Sequence, residues 1–151
     1  MSKSENFIPY FLSHRNVTIA LAEKVEKANY DFKPTETSMS AEKLVLHMVT
    51  SFYQFTAAAT KQQPKQLHEE GSPFELGEVT KLYTDETLVL LKNMVDEDFK
   101  EIIDLTAFLG TKLPAEQVLR IALDHEINHK GNLFVYVRMM GHTDLPMFVQ
   151  K

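Results

Sequence analysis

Apolar residues recur at spacings of three and four along four long stretches of this 151-residue chain, and that period admits little besides amphipathic helices. The first stretch runs from about Asn6 to Ala28, with Ile8, Phe11, Leu12, Ile19, Ala22 and Val25 as its stripe. Pro9 falls in its expected first turn, where a missing N–H costs least. A loop, Asn29 to Met39, holds Pro34 and several Ser and Thr residues. A second helix is expected from Ser40, a favoured N-cap residue, to about Lys61, with Leu44, Met48, Phe52 and Phe55 inward and Glu42 in the positive first turn.

The stretch Gln62 to Gly77, with Pro64, Gly71 and Pro73, reads as loop. A third helix follows from about Glu78 to Val95, presenting Val79, Tyr83, Leu90, Leu91 and Met94. The segment Asp98 to Lys112 is ambiguous, since Phe99, Ile102, Ile103, Leu105 and Phe108 suit a continued helix, a short one or an extended run. The fourth helix runs from near Pro114 to about Met140, with Gly141 where a C′ glycine is expected. Four long helices and no convincing strand pair predict an all-α four-helix bundle spanning residues 1–151 as a single domain, with connections long enough for more than one topology.

Composition narrows the chemistry. The chain has no cysteine, so disulfides, cysteine zinc sites, iron–sulfur clusters and cysteine nucleophiles are excluded, and any thiol chemistry needs a thiol from a substrate or cosubstrate. A net charge of −5, with 16 basic and 21 acidic residues, repels phosphate backbones, and Lys61 to Lys65 is too sparse a patch to reverse that; nucleic acid is not an expected partner. No apolar run approaches the length of a membrane span, and the first residues lack the pattern of a secretory signal. By elimination the expected location is the cytoplasm.

Histidines carry the remaining signal. His125 and His129 stand four apart on the longest expected helix, so they share one face about 6 Å apart along the axis. Chance readily supplies one such pair, and position adds weight. The pair lies on a stripe with Val118, Ala122, Leu133 and Tyr136, which predicts that it faces the core. His47 repeats the pattern on the second helix, between Leu44 and Ser51. Three imidazoles on inward faces need hydrogen-bond partners or a metal ion.

The string His125-Glu126-Ile127-Asn128-His129 also fits the H-E-x-x-H zinc-protease signature. A protease reading fails downstream, because residues 130–151 contain no Glu, and the Gly and His of the extended form are replaced by Asn132 and Val135. Glu126 is turned about 100° from His125 on a helix, so in preference to a base it reads as a surface group or, less readily, as a group supporting the ligands from behind. His14 reads as a solvated or hydrogen-bonded histidine that could also approach the site from the first helix. His68 and His142 read as exposed, and Arg138 as free to pair with an acidic neighbour.

At these residues the chain resembles the DinB-like metal-binding four-helix bundles, a family that includes bacillithiol transferases and mycothiol-dependent isomerases. Three stretches carry the resemblance: Asn29 to Pro34 running into Thr35 to Ser40; Ala41 to His47; and His125 to Gly131 followed by Val137 to Gly141 and Pro146. The family's three metal-binding histidines fall on His47, His125 and His129. Members often read His-Arg-Gly-Gln from the last ligand onward, whereas this chain reads His129-Lys-Gly-Asn132, keeping the charge and losing the guanidinium fork.

Three neutral ligands leave coordination positions open, the pattern of a catalytic metal site, and imidazole suits Zn²⁺ or Ni²⁺. The resemblance implies metal-dependent transfer from a low-molecular-weight thiol, or hydrolysis, acting on a small-molecule substrate. The alternative is a non-catalytic metal-binding stress-response module, for instance a homodimer joined by helix faces.

Overall fold

Ser2 and Glu5 start the first helix. The Ser2 hydroxyl accepts from the Glu5 N–H at 3.1 Å and the Glu5 carboxylate accepts from the Ser2 N–H at 2.7 Å, a reciprocal cap. In this computed structural model, which describes residues 1–150, helix α1 therefore spans Lys3–Lys24 and starts three residues before the apolar stripe suggests. Pro9 consequently sits inside α1, beyond its first turn.

After α1 come a 3-10 turn at Lys27–Asn29 and α2 at Ala41–Ala59, the latter capped by Ser40 as expected. Helix α3 covers Leu76–Lys92, and α6 covers Ala115–Met139. Both match the expected helices to within a few residues. Gly141, at φ 100°, closes α6 as the C′ residue, its N–H donating to the Arg138 carbonyl while the His142 N–H reaches Val137.

The ambiguous segment is mixed, and it corrects the expectation of no strand pair. A short helix α4 (Asp96–Lys100) leads into β1 (Ile102–Leu105), a single turn α5 (Thr106–Leu109) and β2 (Thr111–Pro114). The two strands pair antiparallel in the register Ile102 with Pro114 and Ile103 with Leu113. Ile103 turns inward onto the helical core while Ile102 stays in solvent, the alternation of a half-buried strand.

The chain is mainly helical. Helix α1 packs on α3 and α6, and α2 packs on the same two, so the four long helices touch in a closed ring. The core has three parts. Phe11, Phe52, Leu91, Val118 and Ala122 fill one, Val17, Leu21, Leu44, Met48, Leu133 and Val137 fill the second, and Val49, Tyr53, Val79 and Tyr83 form a smaller third between α2 and α3. No helix among the described residues is long and apolar enough to cross a membrane.

Candidate metal centre

Helices α2 and α6 run antiparallel, held at one end by the Tyr136 hydroxyl donating to the Met39 carbonyl at 2.8 Å. From that contact His47 lies eight residues down α2, while His129 and His125 lie seven and eleven residues back along α6. At about 1.5 Å per residue these are axial offsets of roughly 12, 10 and 16 Å, so His47 must arrive level with the α6 pair. The structure bears this out. The three ring centroids lie 4.5–5.0 Å apart, and one nitrogen from each ring can be chosen so that all three fall within 4.8 Å of one another.

His47 Nε2 and His125 Nε2 are 2.9 Å apart. Two nitrogens bound to one ion at about 2.0–2.1 Å, with a ligand angle of about 90–110°, lie about 2.9–3.4 Å apart, so this pair fits a shared cation. The outer nitrogens agree. His129 Nδ1–H donates to Asn132 Oδ1 at 3.2 Å, and His47 Nδ1 lies 3.4 Å from the Ser51 hydroxyl. A proton held on Nδ1 leaves the Nε2 lone pair free as a ligand. The cluster is thus compatible with a divalent metal ion, and among the described residues no carboxylate belongs to it.

All three histidines are half-buried at the α2–α6 seam. Burial and the adjacent His129 hold His47 below the usual imidazole range. His125 is lowered to about 4 by burial and its two histidine neighbours. Both are therefore neutral, ligand-ready imidazoles at pH 7.

The rotation of α6 differs from the expected one. Val118, Ala122, Leu133 and Tyr136 are buried as expected, but the deepest polar positions are Glu126 and Lys130, and the histidines sit on the flank. Glu126 is fully buried, which overturns its surface reading. Its carboxylate accepts from Arg15 Nε at 2.8 Å and from the Thr18 hydroxyl at 3.0 Å, and it also meets Arg15 Nη2. Arg15 in turn donates to Thr84 at 3.0 Å and stacks against Phe11 and Phe52.

Lys130 is buried as well. It donates to His14 Nδ1 at 2.7 Å and to the Phe148 carbonyl, so His14 is a buried, hydrogen-bonded histidine outside the three-histidine cluster. Sequence reasoning did not single out Arg15. The available signal was its place on the α1 stripe, between Phe11 and Thr18.

The family model described as the DinB family matches residues 1–150. The chain belongs to the DinB family. Among relatives, the Bacillus subtilis protein YjoA is 46% identical over 153 residues, covering 100% of this chain and 99% of YjoA. The crystal structure of that DinB-like protein superposes with a TM-score of 0.86 at 45% identity, covering 97% of this chain and 99% of the other. A DinB-like protein from Bacillus cereus shares the fold at 17% identity, with a TM-score of 0.77 and 95% of each chain covered.

In this DinB protein the Lys130 and Asn132 departures have visible consequences. Lys130 serves as a point donor to two acceptors, a role that needs no guanidinium fork, and Asn132 supplies the oxygen that orients His129. His68 and His142 are half-buried where exposure was expected. His68 Nδ1 pairs with the Tyr83 hydroxyl at 2.7 Å, and His142 lies 3.9 Å from Glu26. Arg138 remains exposed and lies over the Phe134 ring, with no acidic partner among the described residues.

Proposed function

We propose that His47, His125 and His129 hold one divalent cation, Zn²⁺ or Ni²⁺. In this reading the protein is a metal-dependent transferase or hydrolase acting on a small molecule, with a low-molecular-weight thiol as cosubstrate in the transferase case. The four long helices then form a DinB-type four-helix bundle with its active face at the α2–α6 seam. The observation that carries the reading is the convergence of three imidazoles, half-exposed and without a carboxylate, at one point. Three neutral ligands on an open seam leave room for an exogenous ligand, as catalytic sites require and closed structural sites do not.

When bound, the ion would supply Lewis acidity toward a thiol or a carbonyl. The chain's own residues prepare the site. Ser51 and Asn132 hold Nδ1 of His47 and His129, and desolvation keeps His125 neutral. Arg15 and Thr18 engage both oxygens of Glu126, which makes it a strut between α6 and α1 instead of a general base.

Elemental analysis of the purified protein beside a His47→Ala variant tests the metal. One ion per chain is expected in the former and a clear deficit in the latter, and undiminished stoichiometric metal in the variant sinks the three-histidine site. Metal-loaded and chelator-stripped protein are then compared for conjugation of a small thiol to chlorodinitrobenzene and for hydrolysis of p-nitrophenyl acetate. No metal-dependent turnover in either assay leaves a metal-binding module without this chemistry.

A further inference from the structure

One helical turn from His47 begins a cavity of about 270 Å³, walled by Ser51, Phe55 and Ala58 of α2, by Pro64, and by Leu105 and Phe108 of the hairpin. Three observations give it a purpose. Ser51 belongs to both places, since its hydroxyl lies 3.4 Å from His47 Nδ1 while its side chain forms part of the wall. Positions 47, 51, 55 and 58 share one helix face, so the cavity starts about 6 Å along the axis from His47 and runs on for about 10 Å more.

The wall is apolar apart from Ser51 and Gln54. Complete ligand sites measure about 300–1,000 Å³, so this hollow suits part of a molecule, and its lining suits a short alkyl chain or a single ring. Finally, Phe108 is 71% exposed even though its ring meets Phe55 edge-on at 5.5 Å. It sits on the single turn α5, followed by Gly110 at φ 73°. An aromatic ring held in water at the lip of an apolar hollow gains burial when the hollow fills.

We propose that this cavity receives the apolar portion of the substrate whose head group binds at the three histidines. The substrate class is then a small amphiphile, with a metal-liganding head and a short alkyl or aryl tail. The head rests on the metal reading; the tail site rests on the cavity itself.

The test titrates Zn²⁺-loaded protein with straight-chain hydroxamic acids, from acetohydroxamic to octanohydroxamic acid, by calorimetry. Affinity is expected to rise about threefold to fourfold per added methylene until the cavity is filled. Ala58→Trp, which fills the cavity, is expected to keep the metal and the acetohydroxamate affinity and to abolish the rise. Phe108→Ala changes an exposed side chain and keeps the test open if the first variant folds poorly; it is expected to weaken octanohydroxamate about tenfold and leave acetohydroxamate unchanged. Affinity independent of chain length, or a rise that survives both variants, overturns the proposal.

A second arm uses hexanol on metal-free protein, read by amide NMR. Shifts at Ser51, Phe55, Leu105 and Phe108 support the tail site, and their absence overturns it. Hexanol shifts in a protein that binds no metal overturn the metal reading alone. Sedimentation as a dimer that Phe108→Asp dissociates, with no chain-length effect, makes the hollow a contact between two copies and overturns the substrate assignment.

Discussion

Arg15 and Glu126 meet inside the protein, Nε to Oε2 at 2.8 Å, with neither side chain exposed to solvent. Arg15 brings a guanidinium cation to this pair, so removing only the carboxylate leaves a buried cation uncompensated. Glu126→Gln is therefore expected to lower unfolding free energy by about 3–5 kcal/mol in urea titrations. Arg15→Met in the same background should recover much of that loss, since replacing both members of a buried pair by apolar or neutral groups is far less costly. Metal content should stay at the wild-type level in any folded fraction. A metal deficit would instead make Glu126 part of the coordination sphere.

His14 makes stability depend on pH. Its folded pKa lies below 6.5, first because of burial and then because of the Lys130 ammonium, with Glu126 opposing; the Tyr10 ring is its other neighbour. The lowered value means that the unfolded chain takes up the proton first as pH falls. Stability contributed by neutral His14 is thus fully present above pH 6.5 and is lost as pH falls through the folded value. In metal-free protein His125 acts in the same direction, down to about 4. His14→Gln should reduce the acid slope of unfolding free energy by up to one proton's worth, and an unchanged slope would remove His14 from this role.

The parts of the fold set by neighbours in sequence were legible before the structure. Ser40 as a cap, Gly141 as a C′ residue and the shared face of His125 and His129 follow from spacing and local hydrogen bonding alone, whereas the level of His47 depends on the α2–α6 contact of Tyr136 with Met39. The rotation of α6 was not legible. Glu126 and Lys130 look like surface residues until Arg15, His14 and the Phe148 carbonyl supply partners 111, 116 and 18 positions away. The hairpin failed for a different reason. Its strands have four residues each, and Ile102, Ile103 and Leu105 satisfy a helical spacing as well as an extended one.

Lys61 ends α2 in a left-handed conformation, φ 57°, with its N–H donating to Ala58 and the Gln62 N–H reaching back to Ala57. That is a Schellman ending with a side chain at the position glycine favours. A non-glycine residue there costs about 1–2 kcal/mol. Its 3.0 Å ion pair with Glu101 is more than half exposed on both sides and returns little. Lys61→Gly is expected to raise the unfolding free energy by about 0.5–1 kcal/mol by thermal or chemical denaturation, since unfolded-state entropy offsets part of the relief. Destabilisation would mean that the Glu101 pair outweighs the strain.

Asn132 tests the orientation of the proposed metal ligands apart from their presence. Its Oδ1 accepts from His129 Nδ1 at 3.2 Å on an exposed part of α6. Without that acceptor the imidazole can place its proton on Nε2, the nitrogen that must stay bare to bind, and the ring can turn at little cost. Loss of such an orienting partner typically weakens metal binding about 10–100-fold. Asn132→Ala should show that loss in competition against a chromophoric chelator, while unfolding free energy of the metal-free protein moves by no more than about 0.5 kcal/mol, as for other exposed substitutions. Asn132→Gln keeps a carbonyl acceptor on a longer stem and should lose less. Equal affinities across all three proteins would show that His129 is oriented by α6 packing alone.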